Sequence, residues 1–214
     1  MSLFQPRALM SALLASGLLA ASMLPQTAAA GEFSRTTMNK MGIFLSNFTE
    51  CQITAITRQG FMDDPAEVVH FGMCHDWINN HKLFSNRNKC GKETSKYNEF
   101  VHLDPKRITE SAKRYLGYKF TNHQSSPDYR IAYDGHTYCW PAADGEQTPY
   151  VYVTEAYSMD DGSIRVKGSS YYPDAEEKAD DTINVRAVIM PHEYNGKATW
   201  YLLSLEVDPK PFPD

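Results

Sequence analysis

Residues 70–81 read HFGMCHDWINNH and bring His70, Cys74, His75 and His81 within about three helical turns. His70 and Cys74 are four residues apart, a spacing that lets two helical side chains share one metal ion. A zinc site would need two further ligands, which His102, His123 or His136 could supply. The same pair could serve as a nucleophile and its base, with Cys74 as thiolate and His70 as proton acceptor. His81 lies about 10 Å of helix beyond Cys74, too far to join either arrangement. On a helical wheel Ala66, Phe71, Met73, Trp77 and Ile78 define an apolar arc. His70, Cys74 and His81 fall inside that arc, His75 at its border, and Asp76, Asn79 and Asn80 opposite.

The structural reading of the same stretch competes with both chemistries. An inward cysteine in an oxidising compartment is normally half of a disulfide, and a bonded sulfur is neither ligand nor nucleophile. Buried neutral imidazoles are ordinary where their nitrogens find hydrogen bonds. No H-E-x-x-H or H-x-E pattern sharpens the metal case. The stretch is therefore read as a core helix without a metal, His70 and Cys74 being the residues that would hold one. No catalytic residue can be picked out, and no G-x-S-x-G, Walker or dinucleotide pattern implies a cofactor. SMDDGS and the acidic loop 173–181 offer carboxylates without the ordered spacing of a calcium loop, so both are read as solvated turns. Asn47 opens a glycosylation sequon, which matters only in a host that glycosylates there.

The elements that must position these residues follow from periodicity and caps. Met38, Met41, Leu45 and Phe48 recur at three- and four-residue steps and predict a helix over 37–48. Asp64, Pro65 and Glu67 form an N-cap, N1 and N3 set that opens a second helix running to about residue 82. Asp104 and Pro105 repeat the device for a third, with Ile108, Ala112, Tyr115 and Leu116 inward and Gly117 as its stop. Residues 51–57 and the stretch NEFVHL read as short extended segments, and 84–96 as a polar loop. Asp134–Gly135, Asp161–Gly162 and Asn195–Gly196 each sit between β-prone runs and predict three hairpins. In the last hairpin Ile183, Val185, Ala187 and Ile189 share one face, and Tyr201, Leu203, Leu205 and Val207 share a face of the partner strand. The fold class is thus α+β: three N-terminal helices packed on a C-terminal antiparallel sheet of about six strands. By element order it is a cystatin-like or nuclear-transport-factor-like roll. Tyr150, Tyr152, Tyr157, Tyr171, Tyr172, Tyr194, Trp200 and Tyr201 crowd the strands. They either close the sheet on the helices, the reading packing favours, or line an open concave binding surface.

The ends and the composition set the compartment. Arg7, the apolar run 8–24, Pro25 and the small residues ending at Ala30 read as a signal segment cut after Ala30. The run is short for an uncleaved membrane anchor. That leaves one α+β domain over 31–207 and a Pro-rich tail over 208–214. Loss of Arg7 leaves 20 basic against 26 acidic residues, a net charge of −6. Such a chain without basic runs offers no footprint for nucleic acid and disfavours anionic membrane surfaces. All four cysteines, Cys51, Cys74, Cys90 and Cys139, lie after the signal, and an even number in an exported chain reads as two disulfides. Three pairings are open. Cys74–Cys90 with Cys51–Cys139 is favoured, because the first needs only a short return loop.

The stretches FLSNFTE, EVVHFGMCHDWINN, RYLGYKF, YDGHTYCWPAADGE and TWYLLSLEV together resemble a set of uncharacterised bacterial exported proteins. The resemblance covers most of the chain after the signal. It implies a bacterial, exported, single-domain protein, periplasmic or extracellular, and brings no activity with it. The functional expectation is a non-catalytic ligand-binding or envelope-associated domain whose partner is a small ligand, a glycan or a protein. No membrane insertion is expected after cleavage. The alternative is a small exported hydrolase with a pocket between helices and sheet.

Overall fold

The computed structural model describes residues 33–96, 99–141, 148–172 and 183–208. The signal segment with Ala30, the acidic loop 173–181 and all of the tail but Asp208 lie outside the described residues. In chain order the elements are α1 (Arg35–Thr49), β1 (Ala55–Thr57), α2 (Arg58–Asp63), α3 (Pro65–Asn80), β2 (Ser85–Arg87), β3 (Lys89–Cys90) and β4 (Glu93–Thr94). Then come β5 (Phe100–Leu103), α4 (Pro105–Ser111), β6 (Ala132–Tyr133), β7 (Tyr138–Pro141), β8 (Tyr150–Ser158), β9 (Ile164–Tyr171), β10 (Asn184–Tyr194) and β11 (Lys197–Asp208). The α+β class holds, with the helices ahead of a C-terminal sheet.

Local signals form where the sequence puts them. Asp64 accepts from the Ala66 N–H at 2.9 Å, and Asp104 from the Lys106 N–H at 2.8 Å, each with proline in the first turn. The capping box at Asp64 is only half built, because the Asp64 N–H donates to the Gly60 carbonyl of α2 at 2.9 Å. Glu67 is left to accept from Tyr129 instead. The third expected helix ends in a π-turn over Ala112–Leu116 and stops at Gly117, whose φ of 68° is left-handed. Helix α2 carries no strong periodic signal and is set instead by Thr57, whose hydroxyl accepts from the Gly60 N–H.

All three Asx-Gly pairs turn hairpins, but the hairpins do not share one sheet. A five-stranded antiparallel sheet has the order β1-β11-β10-β9-β8, and a separate four-stranded sheet has the order β2-β5-β7-β6. The first hairpin, β6–β7, belongs to the second sheet, so the expected single six-stranded sheet is corrected to two. The 84–96 segment, expected as a loop, supplies the edge strand β2 and the small β3–β4 hairpin. A β-bulge also corrects one strand face. Val188 pairs with Ser204 and Ile189 with Leu202, so Leu203 is the extra residue. Beyond it the inward set shifts, and Leu202 and Leu205 are buried where Leu203 and Leu205 were expected together.

Helix α1 lies against β8, the edge strand of the larger sheet, and satisfies its outward polar groups. Ser46 Oγ accepts from the Val151 N–H at 2.9 Å while donating to the Gly42 carbonyl at 2.9 Å. Thr49 donates to the Pro149 carbonyl at 2.6 Å, and Arg35 Nη1 to the Val153 carbonyl at 3.2 Å. Covering an edge this way removes a template for pairing with other chains. The approach is close enough that a Cβ on Gly42 would lie 2.6 Å from the Val151 carbonyl oxygen. Behind this contact Phe48 stacks on Phe71 at 4.6 Å, and Phe44, Phe61 and Tyr115 close round them. The sheet contributes Val166, Ala187, Ile189, Leu202 and Leu205, all buried.

Replacing Gly42 with alanine tests the docking. Helix propensity alone would stabilise the protein by about 1 kcal/mol. The clash with Val151 reverses the sign, and urea unfolding is expected to register a loss of about 2 kcal/mol.

Candidate functional site

Helix α3 carries the residues singled out by type, and the fold sends them to different places. Cys74 is bonded to Cys51, with Cα atoms 5.7 Å apart, and Cys90 to Cys139, with Cα atoms 5.5 Å apart. The favoured pairing, Cys74–Cys90 with Cys51–Cys139, is therefore wrong. The chain reverses just after α1, with Gln52 left-handed at φ 59°, and this turn brings Cys51 against α3. Cys90 travels with the β3–β4 hairpin to β7 in the other sheet. The Cys74 sulfur is thus unavailable to a metal or as a nucleophile.

His70 is partly buried, and its ring stacks on Tyr129 at 3.6 Å and 3°. Tyr129 donates a short 2.6 Å hydrogen bond to Glu67 Oε1. His70 Nδ1 is buried without a hydrogen-bond partner, and burial lowers its pKa to about 4. His75, expected at the border, is 4% exposed, between the Phe71 face at 5.7 Å and the Tyr115 ring at 4.6 Å. Asn79 Nδ2 donates to its Nδ1 at 3.2 Å, which leaves the ring proton on Nε2. Burial lowers the His75 pKa to about 4 as well. The Asn79 amide also reaches Glu50, which Tyr150 bonds too; burial raises the Glu50 pKa despite both bonds. His81, expected inside, is exposed at the end of α3, as is Ile78.

The remaining histidines are held singly. His102 Nε2 donates to the Lys89 carbonyl at 2.8 Å, and Thr137 Oγ1 lies 3.1 Å from its Nδ1. His123 sits between Tyr138 Oη at 3.0 Å and Thr109 Oγ1 at 3.2 Å. Thr109 donates to the Phe120 carbonyl, so it accepts from His123 Nε2, and Nδ1 accepts from Tyr138. His136 is exposed in its turn. Among the described residues no three His, Cys, Asp or Glu side chains converge as a metal ion requires.

Sequence reasoning placed Asp76 on the solvent side of α3, and there it fails outright. Asp76 is 0% exposed because α4 crosses that face. Arg107 grips its carboxylate through Nε and Nη2, both at 3.1 Å, and Asn80 adds a bond at 2.8 Å. The i, i+4 relation of Asp76 and Asn80 is the only sequence signal for this group. Asn47 is also buried, with Nδ2 donating to the Ile43 carbonyl at 2.8 Å, so its sequon is sealed. Asp161 of SMDDGS accepts from the Ser163 N–H and hydroxyl, a closed turn.

The concave surfaces lie elsewhere. A groove of about 680 Å³ crosses the outward face of the larger sheet, with Gly60 of α2 at its margin. Strand register builds it in two rows: Ala55, Glu206, Arg186 and Lys167, then Thr57, Ser204, Val188 and Arg165. The alternate residues Leu205, Ala187 and Val166 point into the core. Lys167 pairs with Glu155 on the next strand at 3.2 Å. A smaller cleft of about 330 Å³ is lined by Gln52, Asp64, Glu67 and Tyr129. The strand aromatics form no single wall. Tyr150 meets Tyr171 at 5.9 Å, Trp200 meets Phe44 at 6.0 Å, Tyr152 is exposed under Arg35, and Tyr194 donates to Glu110.

No protein-family model, curated protein or solved structure matches this chain, so the roll remains an analogy of element order.

The buried imidazoles set a pH dependence of stability. His70 and His75 fall from about 6.5 unfolded to about 4 folded, so the unfolded chain binds protons that the native state refuses. Stability should be flat above neutrality and fall as pH drops from 6.5 to 4, by about 1 kcal/mol per pH unit for each histidine. His102 and His123 shift in the same direction, while Glu50, raised by burial, works in the opposite sense. His70→Phe keeps the stack on Tyr129 and removes the unpartnered nitrogen. Urea unfolding at pH 7 and pH 5 should find this variant more stable, with a smaller loss between the two.

Proposed function

We propose that the protein is an exported bacterial domain, periplasmic or extracellular, that is associated with the envelope and binds an acidic ligand without transforming it. The ligand class is a small acid or an acidic glycan, and its place is the groove on the outer face of the five-stranded sheet. The observation that carries this reading is the composition of that groove. Arg165, Lys167 and Arg186 outnumber Glu206 around an apolar floor of Ala55 and Val188, with Ser204 and Thr57 as hydroxyl partners. Cations over an aliphatic floor suit carboxylate or phosphate groups on a carbon frame. Arg165 has no ion-pair partner among the described residues. Two disulfides fit an oxidising compartment. No helix among the described residues is long and apolar enough to cross a membrane.

The alternative, a small exported hydrolase, asked for a pocket between helices and sheet. Phe44, Leu45 and Phe48 from α1 and Val166, Ala187 and Ile189 from the sheet fill the centre of that space, and the cleft of about 380 Å³ left at its margin, lined by Glu110, Lys113, His192 and Glu193, is open and polar. His70 and His75, lowered to about 4, are held on α3, His102 lies on β5 and His123 after α4, and none of the four lines the 680 Å³ groove. Perturbed pKa values mark a site when they face a cleft, and here they accompany packing.

The test is an amide-shift titration with citrate, pyrophosphate and hexagalacturonate. Saturable shifts confined to the amides of 165–167, 186–188 and 204–206 are expected for one of them. Arg165→Glu should weaken that probe about tenfold, the worth of one charge-assisted contact. If none of the three moves these amides, the groove is not a site for acids and the reading is withdrawn.

A further inference from the structure

Residues 82–96 hold Lys82, Arg87, Lys89, Lys92 and Lys96 against Glu93 alone. The chain has 21 basic and 26 acidic residues, so the rest of it carries 16 against 25. Glu99 joins the stretch in space, accepting from Ser95 Oγ at 2.8 Å, so whole-chain charge hides a local excess of three positive charges. All five cations are exposed. They also sit on a fixed support. Strand β2 pairs with β5 from Ser85↔His102 to Arg87↔Phe100. The β3–β4 hairpin is stapled to β7 by Cys90–Cys139, and His102 donates to the Lys89 carbonyl at 2.8 Å. The Ser95 N–H closes the base of the hairpin on the Asn88 carbonyl at 2.6 Å. The result is a rigid basic knuckle at the edge of the smaller sheet.

Apolar side chains adjoin it. Leu83 is 47% and Ile78 39% exposed at the end of α3, beside Trp77 and Phe84, whose rings meet edge to face at 5.4 Å. Exposed aliphatics with an adjoining tryptophan and surrounding lysines are the composition of a surface that settles into the headgroup region of a bilayer. Nucleic acid and acidic polysaccharide would also answer the charge, but neither gives Leu83 and Ile78 anything to leave water for. We infer that this end of the molecule, the β3–β4 knuckle with the tip of α3, docks on an anionic phospholipid bilayer. The contact is peripheral: cations meet the headgroup phosphates, and Leu83 and Ile78 enter the interface. It is separate from the sheet groove and does not depend on whether that groove holds a ligand.

The test is co-sedimentation of the protein, as the cell exports it, with vesicles of phosphatidylglycerol in phosphatidylcholine and of phosphatidylcholine alone. Binding is expected to the first and not the second, and high salt should release it. Each cation near such a surface changes affinity about fivefold, so Lys89→Glu with Lys92→Glu should lower it at least about 25-fold. Circular dichroism and the melting temperature check that this exposed pair leaves the fold intact. Leu83→Ser should weaken binding while leaving its salt dependence. Binding untouched by the double charge reversal would put the contact elsewhere on the molecule and overturn the inference. So would failure to sediment with phosphatidylglycerol vesicles. Capture of single-stranded DNA or hexagalacturonate through Lys89 and Lys92, without vesicle binding, would overturn it in favour of a soluble polyanion.

Discussion

Between Val68 and Asp76 the third helix has almost no solvent face. Val68, Val69, Phe71, Gly72, Met73, Cys74, His75 and Asp76 are all buried, and only His70 is partly open. A helix enclosed on every side must satisfy each polar side chain from its neighbours. That single constraint explains much of the surrounding structure. The first helix must reverse sharply so that Cys51 meets Cys74. The fourth must bring Arg107 to Asp76. Gly72 must lack a side chain, because a Cβ there would lie 2.8 Å from the Ile108 side chain and 3.2 Å from its Cα.

The burial of Asp76 shows what the enclosure costs and how it is offset. A lone carboxylate without water would be expelled or protonated. The two-nitrogen grip of Arg107 and the amide of Asn80 satisfy its oxygens, and in turn fix how α4 crosses α3. Arg107 is partly exposed and Asp76 fully buried, so losing Arg107 would strand a carboxylate away from water. The consequence of the pair is orientation. The crossing places Tyr115 against Phe71 and His75, and Gly117 under the ring of Tyr201, which joins the helical layer to β11.

Features decided within a few residues were legible in the sequence. Asp64 with Pro65, Asp104 with Pro105, Gly117 and the three Asx-Gly turns need only their neighbours to act, and they act as read. Features decided by distant partners were not. Asp76 looked solvent-facing because a helical wheel does not include α4. The disulfide pairing went astray because chain distance favoured Cys74–Cys90, while the reversal at Gln52 made Cys51 the nearer partner in space. Leu203 was placed on the core face because strict alternation has no way to announce a bulge. The second sheet is hard to read because its edge strand β2 is short, polar and exposed, and the separate β3–β4 hairpin is polar and exposed but for Cys90. Nothing else in their side chains demands a core, and they are strands because β5 and Cys139 hold them.

The two basic surfaces differ in a way that separates their physics. On the sheet the charges offset one another across the strands, with Glu206 and Glu155 flanking Arg186 and Lys167 in one row, so the field of that row largely cancels beyond a few ångströms. A surface of that kind recognises only what fits against it, and its cations act as hydrogen-bond donors at contact range. On the knuckle five cations face Glu93 and Glu99, and cancellation is incomplete. Such a surface is felt over a Debye length and favours an extended anionic plane over a small anion that can neutralise one side chain at a time. The remaining acidic surface works in the same direction. With 16 basic against 25 acidic residues in the rest of the chain, an anionic plane is repelled on balance elsewhere, which turns a weak attraction at one end into a defined orientation, with the groove on a separate sheet.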